Sequence, residues 1–214
     1  MRRHRESSAR DKIALHGESL HARGYAPGSS GNISVRLEDG YLITPTNSCL
    51  GRIDPERITK LDESGRHISG DRPSKEAFLH FLMYGKRQTA GAVAHLHSTY
   101  AVAASCLAND SGVSPLRTLT PYFVMKVGEL RVVPYFPPGD EALARAVESV
   151  ASRHHSILLA NHGPVVAGGS VEAAVHAIEE LEEAARLHFI LDSKQAVELS
   201  PAQVCTLHQR FSES

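Results

Sequence analysis

Apolar positions in the first quarter of the chain change from a helical to an alternating spacing. Residues 10–23 carry apolar side chains loosely three and four positions apart, which predicts a helix closed by Gly24. After a stretch rich in Gly and Ser, residues 33–37 alternate apolar and polar side chains, as a strand does. Asp39-Gly40 then predicts a two-residue hairpin turn, with residues 41–44 returning as the partner strand.

The remaining chain mixes short strands with helices. Residues 58–61 and 66–69 predict two strands around the turn at 63–65, and residues 92–98 predict a buried strand. The first ten residues and the end of the chain are polar and are expected to lie outside the core. The pattern further predicts helices at 73–87, 99–107, 141–153 and 171–190, a turn at 137–140, and strands at 132–133 and 157–160, the last broken at 161–163 and extended by 165–166.

This order of elements favours one fold class. Strands and helices alternate while hairpins come early, which favours a three-layer α/β domain over a purely parallel sheet. The chain has 214 residues. Since about 150 residues per domain is the usual prior, residues 1–214 are expected to form a single domain.

Composition and charge exclude several classes of protein. Hydrophobic residues make up 42% and charged residues 22%, which is typical of a folded globular chain rather than a disordered one. The net charge of −1 leaves no basic excess for a nucleic-acid partner. No run approaches about 18 apolar residues, so no membrane span is expected. With three cysteines and no signal-peptide pattern, we expect a cytoplasmic protein.

Histidine is the unusual residue, with 13 in the chain, and two of them stand close together. His95 and His97 are two positions apart in a predicted strand, so both imidazoles point to the same face. On a helix they would lie about 200° apart. Neutral imidazoles suit Zn²⁺ and related metals. The pair alone also fits two hydrogen-bonded histidines on a half-buried strand, and that alternative stays open.

Two further residues strengthen the metal hypothesis. His162 follows a predicted apolar strand, at the kind of strand end where α/β proteins bind ligands. Glu76 stands near the start of a predicted helix, where it could also serve only as a carboxylate that stabilises the helix dipole. Three histidines and a carboxylate form a closed tetrahedral zinc site, or a catalytic one if the carboxylate can leave. The other histidines, His80 among them, are interpreted as surface or packing residues.

Small and hydroxyl-bearing residues suggest a phosphate cradle. They cluster at residues 28–32, at 44–48 and at Ser74. Backbone N–H groups and hydroxyls in such segments commonly hold phosphate, although each segment alone is more often an ordinary turn. Neither nucleotide-binding fingerprint, GxGxxG or GxxxxGK[ST], is present.

Taken in order, the motifs SSGNISVR, TPT, PSKE, HLHS and ANHG resemble the class II aldolase/adducin family over nearly the whole chain. More narrowly, TPTNSCLG, SGDRPSKE, AHLHST and LTPYFVMKVG resemble its branch of 3-oxo-tetronate 4-phosphate decarboxylases. The resemblance implies a three-layer α/β/α fold with a central, mostly antiparallel sheet. It also implies a homo-oligomer, most often a tetramer, with sites between subunits.

The resemblance assigns roles to five residues. It implies that His95, His97 and His162 hold a divalent metal, normally zinc. It implies that Glu76 ligates the metal in the empty site and acts as an acid/base when substrate displaces it. Tyr122 matches a tyrosine that reaches a neighbouring site as a proton donor.

The same resemblance points to substrate contacts. Asn32, Thr46 and Ser74 fall where the family binds phosphate. Asn47 and Lys75 stand where the aldolases typically carry Gly and Ser, and this departure favours an acid substrate over the sugar phosphate of an aldolase. Lys75 is expected to contact the phosphate, with a solvent-facing lysine as the alternative.

The function implied is a decarboxylation in sugar-acid catabolism. The phosphorylated sugar acid 3-oxo-tetronate 4-phosphate would lose CO₂ through an enediolate stabilised by the metal, giving dihydroxyacetone phosphate. Alternatives within the family are a fuculose- or ribulose-type sugar-phosphate aldolase and the methylthioribulose phosphate dehydratase. A non-catalytic scaffold like adducin lacks the metal histidines, so their presence here argues against that alternative.

Overall fold

A single mixed sheet forms the centre of the protein. The computed structural model describes residues 2–107, 112–137 and 140–211, so part of the predicted turn at 137–140 lies outside them. In the described residues the strands run in the order β4-β3-β2-β1-β5-β8-β7-β6, and every neighbouring pair is antiparallel except β6 and β7. The strands are β1 (Asn32–Leu37), β2 (Gly40–Ile43), β3 (Thr59–Leu61), β4 (His67–Ser69), β5 (Ala92–His95), β6 (Arg131–Val133), β7 (Ser156–Leu159) and β8 (Gly163–Gly168).

Helices cover both faces of this sheet. None of those in the described part of the chain has the length and apolar composition that crossing a bilayer requires. They are α1 (Arg2–Ala22), α2 (Ala77–Lys86), α3 (Thr99–Leu107), α4 (Glu141–Ala151), α5 (Val171–Ile190) and α6 (Pro201–Phe211), with short 3-10 turns at Leu50–Arg52 and Pro55–Arg57 and a π-helical turn at Phe123–Val127.

Alternation along the strands divides the core into two layers. On β5, Ala92 and Ala94 pack into the apolar cluster formed with α1, α3 and α5, whereas Val93 packs into the cluster formed with α2 and α4. Successive strand side chains point to opposite faces, so each strand contributes to both layers. The predicted three-layer α/β architecture with a mostly antiparallel sheet is confirmed.

Local signals in the sequence set several helix ends. The Ser170 hydroxyl accepts from the Ala173 N–H at the start of α5, and Asp140 caps α4 in the same way through the Ala142 N–H. Gly24 adopts a φ of 80° just after α1, as the predicted closing residue should.

The two chain ends are more ordered than the sequence pattern predicted. Helix α1 begins at Arg2 instead of residue 10, and long-range contacts anchor its early turns. Lys60 donates to Glu6 at 2.8 Å, and Arg10 donates to the carbonyl oxygens of Pro55 and Ile58, at 3.0 and 2.7 Å. Helix α6, which was not predicted, packs against the π-helical turn. Its start carries a capping box, since the Ser200 hydroxyl accepts from the Gln203 N–H and the Gln203 side chain accepts from the Ser200 N–H.

The prediction for the strand at 157–160 was wrong in one respect. Residues 165–166 do not extend β7 but belong to β8, which folds back beside it, with Leu159 paired to Gly163. Asn161, with a φ of 55°, helps to reverse the chain. Asn tolerates this left-handed conformation better than most residues.

Three predicted boundaries also move. The first hairpin turns at residues 38–39, one position earlier than predicted, because Leu37 pairs with Gly40. Helix α2 begins at Ala77, after Glu76, and β5 ends at His95, so His97 lies beyond the strand.

Gly40→Ala is expected to destabilise the protein by about 2 kcal/mol. Gly40 has a φ of 140°, and a Cβ there would lie 2.0 Å from the Leu61 carbonyl oxygen, a backbone atom that cannot move aside cheaply. The free energy of unfolding in urea measures the effect. Gly85→Ala in α2 is the matched control, because a Cβ there meets nothing within 4 Å. Equal stabilities for the two variants would contradict this account of the hairpin.

Candidate functional site

Four side chains from three parts of the fold converge at one end of the sheet. His95 ends β5, His97 follows it by two residues, His162 lies between β7 and β8, and Glu76 immediately precedes α2. Each offers one ligand atom, and these four atoms all lie within 4.8 Å of one another. The structure therefore brings together all four residues that the sequence proposed as metal ligands.

Strand register explains the convergence. β5 is paired with β8, which places His95 opposite Val165 and close to the turn that carries His162. Gly163 allows this turn to approach the chain after β5, because a Cβ at that position would lie 2.4 Å from the Leu96 carbonyl oxygen. A larger residue would push His162 away from its neighbours.

The distances within the cluster are short. The Nε2 atom of His95 lies 3.0 Å from that of His97 and 3.3 Å from that of His162. The Oε1 atom of Glu76 lies 3.0 Å from His162 Nε2 and 3.5 Å from His95 Nε2. One carboxylate oxygen and three imidazole nitrogens therefore point at one another.

The position of the proton on the His95 ring shows that this set of donor atoms suits a metal ion. Its Nδ1 lies 2.7 Å from the Pro164 carbonyl oxygen, which can only accept, so Nδ1 carries the proton and Nε2 of the neutral ring presents a lone pair. Histidines that bind metals are commonly oriented by such a bond. Three imidazole nitrogens and a carboxylate around one point fit a divalent cation such as Zn²⁺.

Electrostatics favour the metal-binding forms of Glu76 and His97. Burial raises the pKa of the Glu76 carboxyl, but hydrogen bonds from His162 and the Asn32 amide are among the contacts that outweigh it and lower that pKa well below its usual range. Burial lowers the pKa of His97 to about 4. A metal ion needs both groups in these forms.

A buried chain of four polar side chains, Asn32, Ser34, His80 and Tyr84, leads from Glu76 into the layer under α2. The Asn32 amide nitrogen lies 2.7 Å from Glu76 Oε2, and His80 Nε2 lies 2.5 Å from Asn32 Oδ1. The Ser34 hydroxyl then lies 2.7 Å from His80 Nδ1 and 2.8 Å from the Tyr84 hydroxyl. All four side chains are at most 3% exposed. Asn32, expected at the phosphate, thus contacts the carboxylate in this structure.

Two predicted substrate residues line a separate cavity of about 430 Å³. Thr46 and Asn47 form part of its wall, together with residues that the sequence analysis had not considered. The Arg52 guanidinium is one of these, and it makes no hydrogen bond or ion pair with the part of the chain that is described. Arg57 also lines the cavity but is paired with Asp71. Two carboxylates also line the cavity, so its wall carries both signs of charge, and the Arg52 guanidinium is the group that suits an anion.

Ser74, Lys75 and Tyr122 are the remaining predicted contacts. Ser74 accepts a hydrogen bond from the Glu76 N–H at 3.2 Å, so its hydroxyl helps to fix the turn before α2. Lys75 is exposed and pairs with none of the described residues. Tyr122 is 57% exposed at the start of the π-helical turn, and its hydroxyl has no partner among residues 2–107, 112–137 and 140–211. Among the described residues, no hydrogen bond or ion pair joins either side chain to the four-residue cluster.

Sequence reasoning missed the position of His80, which it interpreted as a surface or packing residue. His80 follows Glu76 by four positions, one helical turn, so both lie on the same side of α2. Ser34 and Asn32 alternate in β1 and face that helix. Both spacings can be read from the sequence. Whether His80 meets Asn32 and Ser34 depends on which helix covers which strand, and the sequence pattern does not show that.

Comparisons with known proteins agree with this geometry. The chain is 46% identical over 203 residues to the 3-oxo-tetronate 4-phosphate decarboxylase of Pectobacterium atrosepticum, covering 94% of this chain and 93% of that protein. It is 43% identical to the Escherichia coli K12 protein of the same name, covering 94% and 96%. The L-fuculose phosphate aldolase of Methanococcus maripaludis is 36% identical over 81% of this chain and 92% of that protein.

Solved structures and a family pattern lead to the same assignment. The crystal structure of YgbL from Klebsiella pneumoniae superposes with a TM-score of 0.91 at 43% identity, covering 94% of this chain and 98% of that one. The family described as the class II aldolase and adducin N-terminal domain matches residues 11–189. With the fold and the histidine cluster in place, the chain belongs to the class II aldolase and adducin family.

Proposed function

We propose that the protein is a metal-dependent carbon–carbon lyase that converts 3-oxo-tetronate 4-phosphate into dihydroxyacetone phosphate and CO₂. The observation that carries this proposal is the pattern of relatives. Proteins named for that decarboxylation are 43–47% identical to this chain, whereas those named L-fuculose phosphate aldolase are 34–36% identical. The four-residue cluster adds the donor atoms that such a reaction needs.

The chemistry needs an electron sink next to the bond that breaks. The C1–C2 bond of the substrate breaks, C1 leaves as CO₂, and the electron pair enters the C3 carbonyl to give an enediolate. His95, His97 and His162 would hold a divalent cation, most simply Zn²⁺, which when bound would supply Lewis-acid stabilisation of that charge. Protonation at C2 then completes dihydroxyacetone phosphate.

The residues of this chain would bind the substrate and move the proton. Glu76 would act as the acid/base once its oxygen is displaced, since its lowered pKa keeps it an ionised carboxylate that has a free site for a proton. Thr46, Asn47 and Ser74 would hold the phosphate, with Lys75 contacting it from outside. Positive charge in this region favours an anionic substrate.

Further residues and properties belong to the same proposal. Asn32 has a second amide hydrogen that could still reach the phosphate. The exposed Tyr122 would donate a proton in a neighbouring subunit of a homo-oligomer, most simply a tetramer. Three free cysteines at the described positions Cys49, Cys106 and Cys205 suit a reducing cytoplasm.

A sugar-phosphate aldolase is the second candidate, supported by the 34–36% identical relatives of that name. An aldolase would form the same enediolate by releasing an aldehyde instead of CO₂. The two candidates therefore share an electron sink and differ in the leaving group.

Measuring CO₂ separates the two reactions. Purified protein incubated with 3-oxo-tetronate 4-phosphate is expected to release CO₂ and dihydroxyacetone phosphate in equal amounts, because one C1–C2 cleavage yields both. L-fuculose 1-phosphate serves as the matched aldolase substrate and is expected to react poorly. Rapid aldehyde release from fuculose phosphate, with no CO₂ from the sugar acid, would replace the decarboxylase proposal by the aldolase.

A pair of variants separates metal binding from proton transfer. Glu76→Gln is expected to keep most of its metal and to lose turnover by about 10²–10⁴, the usual range for a general acid/base. His95→Asn is expected to lose both metal and activity, because two imidazoles and a carboxylate form a weaker site. Elemental analysis and kcat measure the two effects. Full zinc occupancy in His95→Asn, or near-normal turnover in metal-loaded Glu76→Gln, would refute the respective role.

Mixing subunits tests the role of Tyr122. Tyr122→Phe and Glu76→Gln should each be nearly inactive alone. If the tyrosine serves a neighbouring subunit, co-assembled chains carrying one change each should regain activity, because a site can combine an intact Glu76 with the neighbour's Tyr122. Each variant re-assembled with itself is the control. No recovery in confirmed mixed oligomers, or a fully active monomer in light scattering, would contradict the shared site.

A further inference from the structure

The hydrogen bonds of the buried chain can run in only one direction. An ionised carboxylate only accepts, so Asn32 must present its NH₂ to Glu76 and its carbonyl oxygen to His80. His80 must then carry its proton on Nε2, which leaves Nδ1 to accept from the Ser34 hydroxyl. Ser34, having donated its proton, can only accept from Tyr84.

We propose that His80 is a positioning residue that fixes which end of the Asn32 amide faces Glu76, and so aims the carboxylate at the three histidines. Glu76 Oε2 is held by Asn32, which leaves Oε1 directed towards His162. Nothing else in the described structure bonds to the Asn32 carbonyl oxygen apart from His80.

Burial makes the loss of any hydrogen bond in this arrangement costly in free energy. If His80 could not donate, the Asn32 oxygen would be left without a partner in a site from which water is excluded, which costs free energy. Rotating the amide would not help, since it would place that oxygen against the carboxylate. Burial lowers the pKa of His80 to about 3, so the ring stays neutral and Nδ1 remains able to accept.

The alternative is that His80 only fills space in the layer under α2. The two roles differ in what a substitution changes. A space-filling residue affects stability alone, whereas a residue that orients a metal ligand also changes metal affinity. Partners that orient ligands commonly alter affinity or activity by about 10–100-fold.

Zn²⁺ affinity, measured on the full-length protein by competition with a chromogenic chelator, tests the proposal. His80→Leu is expected to weaken binding by about 10–100-fold. His80→Gln should stay within about threefold of the parent, because an amide can donate to Asn32 and accept from Ser34. Leu79→Val, in the same buried layer, is the packing control and should leave the affinity unchanged. Parent-like affinity in a folded His80→Leu would overturn the proposal.

A double-mutant cycle shows whether His80 acts through Glu76. Glu76→Gln is itself expected to weaken Zn²⁺ affinity about as much as His80→Leu does, while staying loaded at saturating zinc. In that background His80→Leu should cause little further loss of Zn²⁺ affinity, since the ligand that it orients is already changed. An equal loss in both backgrounds would mean that His80 acts by another route, and the assignment would be wrong.

Ser34→Ala keeps the test decisive if His80→Leu does not fold. This small change removes the donor to His80 Nδ1, which frees the ring to take the other tautomer, and should weaken Zn²⁺ binding by about threefold to tenfold. An unchanged affinity in this variant would also overturn the proposal.

The kinetic readout alone rests on the proposed function. For the metal-loaded variants, kcat for CO₂ release is expected to fall in parallel with Zn²⁺ affinity while KM stays near the parent value, since His80 does not contact substrate. A parent enzyme that releases no CO₂ would refute the decarboxylation, and the affinity cycle would still decide the role of His80.

Discussion

β5 lies between β1 and β8, and its register with both strands determines where the groups of the site stand. His95 faces Asn32 across one ladder and Val165 across the other. A slip of one residue would turn His95 to the opposite face of the sheet, towards α1, α3 and α5. The cluster with Glu76 would then be lost, although every element would remain. Ala92 and Ala94 pack into one apolar cluster and Val93 packs into the other. This packing fixes the register of β5, so the core also determines the geometry of the site.

The same strand register places polar side chains in the layer under α2. Asn32 and Ser34 alternate on β1 and point to the face that carries His95. Helix α2 covers them and supplies His80 and Tyr84, so no polar group of the buried chain depends on solvent. A satisfied network of this kind is stiff, because each bond fixes the next. Such stiffness suits a carboxylate that must lie at one defined position beside a metal.

Charge is distributed unevenly around the site. The interior of the cluster combines three imidazoles with one carboxylate, whereas the separate cavity has on its wall Arg52, which pairs with none of the described residues. Under the proposed function, the phosphate of the substrate would lie in the cavity and its reacting carbonyl at the cluster. A cation there would stabilise charge that develops during reaction, and the arginine would contribute binding that changes little between ground and transition state. The exposed Tyr122 would complete this arrangement from a second subunit.

The sequence by itself determined most of the helices and strands, the three-layer class and the four residues of the cluster. Their signals are local: apolar spacing, caps such as Ser170, and the HLH pattern. Only the tertiary structure decided the fold-back of β8, the extent of α1 and the place of His80. These features depend on contacts between distant segments, such as Arg10 with the carbonyl of Ile58 and His80 with Asn32. The geometry of such contacts depends on which helix covers which strand. The spacing of residues along the chain does not specify that arrangement.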